Sequence, residues 1–197
     1  MTTRSNKLIV LDLDATLISA QSLDKYENNK KNAKKAEKFT KQYRMENYYH
    51  VFGRPHLDAF LDFLFSNFKV AVWTAASQMY ALSIIENFIL TKPERKLEFI
   101  LFDYHNEHSI KNARGTKDLN FLETFYDITQ FDDMLILDDF EDVVNVNKGR
   151  AIKAPFFEFK KRNSQNDSWF LRLMPRLTRL KNSKVKKKTQ GDNAKKK

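Results

Sequence analysis

Cysteine is absent from the sequence, and glycine is scarce, with only four among 197 residues. Without cysteine the chain has no disulfide bond, no zinc–thiolate site and no cysteine nucleophile. This composition fits a reducing compartment, so we expect an intracellular protein, either nuclear or cytoplasmic. The few glycines form neither a P-loop nor a Gly-x-Gly-x-x-Gly motif, so nucleotide binding through such loops has no support.

Long apolar runs are also missing. No stretch approaches the length that spans a bilayer, and the apolar run near the N-terminus is too short for a secretory signal. We therefore expect no membrane partner. Hydrophobic residues nevertheless make up 42% of the chain and aromatic residues 13%, which is enough for a folded core. We predict one folded domain over residues 1–181.

The formal charge of +10 is unevenly distributed. Residues 181–197 hold eight lysines against one aspartate, and residues 24–47 hold seven lysines and one arginine against four acids. The remaining body is close to neutral, whereas a nucleic-acid-binding domain spreads basic charge over a folded face. We predict a solvated helical insert at residues 24–47 and a disordered basic tail at residues 182–197. Both remain candidates for contacts with nucleic acid or an acidic partner, and the tail also for a nuclear localisation signal.

Three short apolar runs, each ending in a polar or acidic residue, predict strands that are buried on both faces of a parallel sheet. They cover residues 8–12, 69–74 and 134–138. Helical patterns alternate with them over residues 57–65, with Pro55 at the first helical position, and over 77–90, 119–125 and 167–180. This alternation predicts a doubly wound, Rossmann-like α/β fold. Residues 154–159, which contain three phenylalanines, fit either a final strand or a packed loop.

Acidic residues follow the ends of these strands, where ligands bind in open parallel sheets. Asp12 and Asp14 lie two residues apart, so in an extended segment their side chains point to the same side. Their repulsion favours a bound cation, and Asp138 and Asp139 add negative charge at the same edge. Oxygen ligands without histidine or cysteine suit magnesium. For an isolated Asp-x-Asp, capping of the next turn is the simpler interpretation, but it does not account for the second acidic pair.

Thr74 and Lys117 belong to the same predicted edge. The hydroxyl of Thr74 can donate to a phosphate oxygen, or it can cap the helix that begins near Ser77. Lys117 can offset the charge of a nucleophile and a phosphoryl group, or it can be an ordinary surface lysine. The histidines share no metal-ligand spacing. His56 is predicted at a helix start, and the other three are predicted in loops, namely His50, His105 and His108.

In this order, the motifs resemble the haloacid dehalogenase superfamily, and in particular its branch of RNA polymerase II C-terminal-domain (CTD) phosphatases and small CTD phosphatases. Residues 12–17 are similar to the first motif of the branch, Asp-x-Asp-x-Thr-Leu. Further similarities cover an Arg-Pro segment and the second, third and fourth motifs, at residues 54–61, 73–76, 117–119 and 137–139. The sequence departs from the branch at Ala15, where glutamate is frequent, and in its lysine-rich insert, a region that is more strand-like in the small phosphatases.

The resemblance implies a magnesium-dependent phosphatase with a covalent intermediate. Asp12 is then the nucleophile that becomes an aspartyl-phosphate. Asp14 protonates the leaving oxygen and afterwards activates water. Thr74 and Lys117 hold the phosphoryl oxygens and neutralise their charge.

The same resemblance implies the remaining site residues. Magnesium would be held by Asp12, by the backbone carbonyl of Asp14 and by one of the two later acids, Asp138 or Asp139. The further expected substrate contacts belong to the same motifs and are Thr16, Ala75 and Arg54.

No segment of the sequence is large enough to form a full cap over the site. We therefore expect an open site that admits phosphoserine or phosphothreonine in a protein segment, such as the RNA polymerase II CTD to which the resemblance points. One alternative is a small-molecule or nucleic-acid-end phosphatase with residues 24–47 as a lid. Another is a non-catalytic binding protein on this scaffold, although retention of both Asp12 and Asp14 argues against it.

Overall fold

The structure is a computed structural model that describes residues 4–182. In this range the strands are β1 (Leu8–Leu11), β2 (Ile18–Ser22), β3 (Gln42–Met45), β4 (Tyr49–Gly53), β5 (Lys69–Trp73), β6 (Ile100–Leu101), β7 (Met134–Asp138) and β8 (Ala151–Lys153). The helices are α1 (Leu23–Glu27), α2 (Lys30–Ala36), α3 (Leu57–Asn67), α4 (Gln78–Ile84), α5 (Asp103–Asn112), α6 (Leu119–Phe125), α7 (Glu141–Val146) and α8 (Trp169–Asn182).

Five of the strands form one parallel sheet in the order β6-β5-β1-β7-β8. β1 is central because its four apolar residues can be covered on both faces. Ile9 and Leu11 belong to a core that includes α3, α4 and α8, whereas Leu8 and Val10 belong to a second core with α6 and α7. The predicted doubly wound α/β fold is confirmed. Because β5 and β7 pair with opposite edges of β1, the switch point of the sheet lies at the end of β1.

The predicted helices are confirmed, with shifts at their ends. α3 begins at Leu57, because His56 adopts a left-handed conformation with φ of 68° just before it. His56 therefore stands at a helix start as predicted, whereas Pro55 lies two residues ahead of the helix and is not its first residue. α4 continues through a π-helical turn at Ile85–Ile89, which brings the segment close to the predicted end.

The C-terminal helix α8 buries the four predicted apolar residues, Trp169, Phe170, Leu173 and Leu177. It begins two residues later than predicted, where a carboxylate oxygen of Asp167 accepts a hydrogen bond of 2.8 Å from the backbone N–H of Trp169. The helix passes through Pro175 and ends at Asn182, so residue 182 is helical rather than part of the predicted tail. The rest of that tail, residues 183–197, lies outside the described residues.

The lysine-rich insert is only partly helical, so our prediction for residues 24–47 is partly wrong. It contains most of α1 and all of α2, and then the strand β3. β3 joins a second, antiparallel sheet in the order β2-β4-β3. Only Met45 of β3 is buried, so the strand lacks the apolar run by which buried strands are recognised in a sequence.

An aromatic cluster joins this insert to the segment that follows β8. Phe52 of β4 stacks on Phe159 with ring centres 3.8 Å apart, and Phe39 and Phe157 complete the cluster. The segment at residues 154–159 is thus a packed loop, which decides between the two interpretations left open above.

Three histidines predicted in loops lie in regular elements. His50 belongs to β4, and His105 and His108 belong to α5. α5 was missed because its sequence is largely polar and has little periodicity. Its start is stabilised locally, since Nδ1 of His105 accepts a hydrogen bond of 3.0 Å from the backbone N–H of Phe102. Across residues 4–182, no helix has both the length and the apolar character needed to cross a membrane.

Candidate active site

The carboxyl ends of β1, β5 and β7 bring the predicted residues together at the switch point of the sheet. A cavity of about 440 Å³ opens there. The predicted residues that line it are Asp12, Asp14, Thr74, Ala75, Lys117, Asp138 and Asp139. The apolar runs of the strands are buried, so each run carries its terminal polar residue to this edge.

Lys117 lies between two buried carboxylates. Its ammonium Nζ donates to Oδ1 of Asp12 at 2.6 Å and to Oδ2 of Asp138 at 2.7 Å. All three residues are at most 6% exposed, so this lysine is not an ordinary surface residue. Burial lowers the pKa of Lys117, but the two carboxylates outweigh it and the net shift is upward, so the ammonium stays charged.

The backbone around Lys117 is fixed from a distant helix. Lys117 itself is left-handed, with φ of 49°. Its carbonyl accepts a hydrogen bond of 2.9 Å from the side-chain amide of Asn147, whose Oδ1 accepts another from the backbone N–H of Leu119. These two hydrogen bonds of Asn147, at the end of α7, hold the backbone of Lys117 in place. Asn147 was not among the residues predicted from the sequence.

Three carboxylates of the site can converge on one cation. Asp12, Asp138 and Asp139 each offer an oxygen, and these oxygens lie within 4.8 Å of one another. Burial, followed by the charge of Asp12, raises the pKa of both Asp138 and Asp139. Such crowding of hard oxygen ligands fits Mg²⁺, which is held by few carboxylates and keeps places for water and phosphate oxygens. Thr16 supports this set, since its hydroxyl donates to Oδ1 of Asp139 at 3.3 Å.

Asp14 also lines the cavity and has a partner that the sequence interpretation missed. The phenol of Tyr80 donates a hydrogen bond of 2.7 Å to Oδ1 of Asp14. Burial raises the pKa of Asp14 to about 6; the hydrogen bond from Tyr80 opposes that rise, and the charge of Asp12 adds to it. The signal that could have found Tyr80 is its position in the first turn of a helix that begins at this same edge.

Thr74 and Ala75 form the part of the wall that follows β5. Thr74 is buried, and its Oγ1 accepts a hydrogen bond of 3.1 Å from the backbone N–H of Ala76. It does not cap α4, because the residue at the cap position of that helix is Ser77. Its hydroxyl proton therefore remains available to an acceptor in the cavity. Two further polar residues of the cavity were not predicted, namely Asn106 of α5 and Thr116, which hydrogen-bond to each other at 2.5 Å.

Arg54 does not line this cavity, although we expected it to contact the substrate. Its guanidinium is buried beside residues 12–17, which we call the catalytic loop, and donates to the carbonyls of Thr16 and Pro155, at 3.1 and 3.0 Å. A third bond of 2.9 Å reaches Oδ2 of Asp167. Arg54 therefore supports the loop that carries the site residues.

A larger cavity, of about 900 Å³, lies at the opposite edge of the sheet, near the start of β7. It includes Lys7, Asp133 and Met134, and it shares no residue with the catalytic cavity. Since ligands in open parallel sheets bind at the carboxyl ends of the strands, its size alone does not make it the active site.

Comparison with known proteins assigns the family. The family model of the NLI interacting factor-like phosphatases matches residues 7–188. A CTD phosphatase-like protein of invertebrate iridescent virus 3 is 40% identical over 187 residues, which cover 92% of this chain and 100% of that protein. A protein of the same name from invertebrate iridescent virus 6 is 38% identical over 179 residues, covering 88% of this chain and 98% of the relative.

Solved structures agree on the fold. Fcp1, described as an essential RNA polymerase II CTD phosphatase, superposes with a TM-score of 0.52 at 18% identity. Fission yeast Fcp1 bound to beryllium fluoride gives a TM-score of 0.52 at 16% identity. Both matches cover 88% of this chain, which spans only about half the length of those structures, 50% and 52% respectively. The matches across nearly the whole chain show that it belongs to the NLI interacting factor-like phosphatases, the CTD-phosphatase branch of the haloacid dehalogenase superfamily.

Proposed function

We propose that the chain is a magnesium-dependent protein phosphatase that acts through a phosphoryl group carried on Asp12. The observation that carries the proposal is the ammonium of Lys117 at 2.6 Å from Asp12 and 2.7 Å from Asp138, in a cavity that also contains Asp14. A buried lysine between two carboxylates offsets the negative charge of the nucleophile and the charge that an incoming phosphate brings.

In the first step, Oδ2 or Oδ1 of Asp12 attacks phosphorus while the bond from phosphorus to the serine or threonine oxygen breaks. Asp14 gives its proton to that leaving oxygen. The raised pKa of Asp14, about 6, keeps part of its population protonated near neutral pH and thus supports this role. Asp12 is left as an acyl phosphate.

In the second step, Asp14 is a carboxylate and accepts a proton from a water molecule. The water oxygen attacks phosphorus, the bond from phosphorus to Asp12 breaks, and inorganic phosphate leaves. Splitting the hydrolysis in this way lets one residue serve first as acid and then as base. The bond from Tyr80 holds the Asp14 side chain in one orientation for both transfers.

The chain's own cations and donors surround the transferred group. Lys117 supplies a fixed positive charge, and the hydroxyl of Thr74 supplies a donor next to the N–H groups that follow β5. Mg²⁺, held by Asp12, the Asp14 carbonyl and the acids Asp138 and Asp139, would screen the negative charge of the phosphoryl oxygens. The three clustered carboxylates support this ligand set.

A phosphoserine or phosphothreonine in a protein segment is the substrate we propose. The solved relatives are named as phosphatases of the RNA polymerase II CTD, a protein segment. The insert packs on the aromatic cluster rather than over the cavity, which supports an open site. The two alternatives are a small-molecule or nucleic-acid-end phosphatase and a non-catalytic binding protein.

The decisive test is turnover by Asp12→Asn. Aryl phosphate and a phosphoserine peptide are supplied with Mg²⁺ to the full chain and to the variant, and we expect activity to disappear. Asp14→Asn should instead accumulate a hydroxylamine-sensitive phosphoryl-enzyme when a good leaving group is used, because it lacks the base for the second step. Undiminished turnover by Asp12→Asn contradicts the mechanism.

The substrate class is tested separately. We expect kcat/KM for a phosphoserine peptide to exceed that for sugar phosphates and for 3′-phosphorylated oligonucleotides. A preference for either of the last two favours the small-molecule or nucleic-acid-end alternative. Absence of turnover on every substrate, with an intact fold, favours the binding protein.

A further inference from the structure

A basic cleft lies on the insert, and it shares no residue with the catalytic cavity. Its volume is about 460 Å³, and no carboxylate of the residues that the structure describes lines it. Its cations are Lys30, Lys31, Lys34, Lys35, Lys38 and Arg162, and we call this surface the basic cleft. Within residues 4–182, none of the six comes within 4.0 Å of a carboxylate oxygen.

This arrangement opposes the stability of α2. The helix starts with two lysines and has no acid in its first turn, where the helix dipole disfavours positive charge. Lys30 and Lys34 form a like-charge pair four residues apart, which also disfavours the helix. Basic residues nearby are compensated, since Lys41 pairs with Asp58 at 2.6 Å and Arg44 pairs with Glu27 at 2.9 Å. Lysines that serve solubility alone are interspersed with acids. The six cations of the basic cleft have no carboxylate partner within 4.0 Å in the described range, and this favours an anionic ligand.

One cation of the cleft is held in place by the fold. Nζ of Lys35 donates to the carbonyl of Lys161 at 2.7 Å and lies 5.5 Å from the centre of the Phe159 ring. Burial lowers the pKa of Lys35; the charge of Glu158 opposes this shift, and the charge of neighbouring Lys38 adds to it. The cleft thus has one cation held by a hydrogen bond, and its other cations are exposed.

A short segment connects the basic cleft to the catalytic loop. The backbone N–H of Phe157 donates to the carbonyl of Ala15 at 2.8 Å, and the carbonyl of Lys161 accepts from Lys35. Four residue steps separate Phe157 from Lys161, so this path is no longer than about 15 Å. An extended peptide of about six residues, which reaches about 20 Å, is longer than this path.

We infer that the basic cleft docks a second phosphorylated residue of the same polypeptide whose first phosphoserine lies at Asp12. This inference rests on the proposed function. Among residues 4–182, no aromatic side chain lines the cleft, so this part of the chain offers none of the stacking platforms of single-stranded nucleic-acid sites. Its small volume fits one or two anionic groups rather than the long contact surface that duplexes need.

The test uses two peptides and three full-length proteins. Both peptides carry one phosphoserine, and one of them also carries a non-hydrolysable phosphonate analogue of phosphoserine six residues away. The proteins are the wild type, a cleft variant with Lys31→Gln, Lys34→Gln and Lys38→Gln, and a control with Lys96→Gln, Lys111→Gln and Lys148→Gln. The control removes three exposed lysines that lie outside the cleft.

We expect kcat/KM of the wild type to be about ten-fold higher for the phosphonate peptide, since three exposed contacts contribute a factor of about two each. The ratio should fall to near one in the cleft variant, persist in the control and decrease as salt is raised. The docking inference is overturned if the two peptides have nearly equal kcat/KM in the wild type, or if the cleft variant has the same ratio of kcat/KM as the wild type. In either case, turnover of the peptide without the phosphonate still supports the proposed phosphatase.

If none of the three proteins turns over any substrate, the docking inference is tested by measuring how tightly each protein binds the phosphonate peptide carrying a fluorescent label. Weaker binding by the cleft variant than by the control supports the cleft although the proposed function has failed, and equal binding overturns it. Tighter cleft-dependent binding of a single-stranded RNA of equal charge also overturns the inference.

Discussion

The phenol of Tyr80 and the carboxylate of Asp14 are joined by a hydrogen bond of 2.7 Å beside the catalytic cavity, which Asp14 lines. The bond links a helix to the catalytic loop, and it reaches the residue that the proposed mechanism uses as acid and base. It stabilises the ionised form of Asp14 and thus acts against burial, which raises the pKa of that residue to about 6.

Tyr80→Phe should alter the acid step. Without the phenol, the pKa of Asp14 rises further, so the loss of activity at high pH should move to higher pH. The maximal rate should fall roughly ten-fold, because Asp14 loses its fixed orientation. Single-turnover rates on a phosphoserine peptide measure both effects, since the poor leaving group requires the acid.

The matched control for that experiment is Tyr49→Phe. The Tyr49 ring lies edge-on to Tyr80, with centres 5.5 Å apart, and removal of its hydroxyl leaves this contact in place. The pH dependence of this variant should match the wild type. If Tyr80→Phe loses activity at the same high pH as the wild type, the role assigned to the hydrogen bond between Tyr80 and Asp14 is contradicted.

Lys117→Met should damage both folding and activity. It leaves Asp12 and Asp138 buried without their shared cation, a change that costs about 3–5 kcal/mol of unfolding free energy. Urea unfolding measures the loss, and Mg²⁺ should restore more stability to the variant than to the wild type because it replaces part of the missing charge. Lys111→Met, at an exposed lysine, should change stability by no more than about 0.5 kcal/mol. Equal stability of the two variants contradicts the charge argument.

The metal requirement rests on the acidic cluster. Chelation should abolish activity, and added Mg²⁺ should restore it. Asp139→Asn should raise the Mg²⁺ concentration for half-maximal activity by about ten-fold or more, because the site loses one ligand charge. Asp142→Asn removes an exposed acid of α7 and should leave the Mg²⁺ titration unchanged. Full activity in chelator, or identical titrations for both variants, argues against the ligand set.

The pair of Arg54 and Asp167 predicts how stability depends on pH. Burial raises the pKa of Asp167, but the hydrogen bonds from Arg54 and from the backbone of Trp169 outweigh it and lower the pKa. A lowered pKa in the folded state means that the stabilisation is complete above the ordinary value of aspartate, about 3.9, and disappears as the pH falls through the folded value.

Asp167→Asn therefore should be less stable than the wild type between about pH 5 and 8, and the difference should shrink below about pH 4. Urea unfolding across this range measures it, with Asp142→Asn as a control that should follow the wild type throughout. A difference that does not vary with pH contradicts the linkage between this carboxylate and Arg54.

The sequence predicted which side chains meet at the carboxyl edge of the sheet, because its signals coincide there. β1, β5 and β7 are apolar runs buried on both faces, and each carries its polar residue to the same edge of the sheet. Residues such as Thr74 and Asp138 could therefore be placed without knowing any contact. The motif order added the likeness to phosphatases, which the family match confirms.

The features that were missed depend on packing between distant segments. Tyr80 reaches Asp14 only because α4 docks beside the catalytic loop, and no local pattern encodes that distance. Arg54 was expected at the substrate since its motif neighbours are there, yet burial turns its guanidinium toward backbone carbonyls. The strand β3 was hidden by the lysine-rich composition around it, which resembles that of a solvated helix.

The bonds of Arg54 have a consequence for synthesis of the chain. They connect this residue with partners that are 38, 101 and 113 positions away in the sequence, and the last of them, Asp167, lies near the end of the described range. Contacts of such separation form late, after most of the chain has emerged from the ribosome. The catalytic loop therefore receives its final support only after Asp167 has been synthesised, and a chain truncated before Asp167 should have every proposed catalytic residue but lack the arginine–carboxylate bond that holds the loop in place.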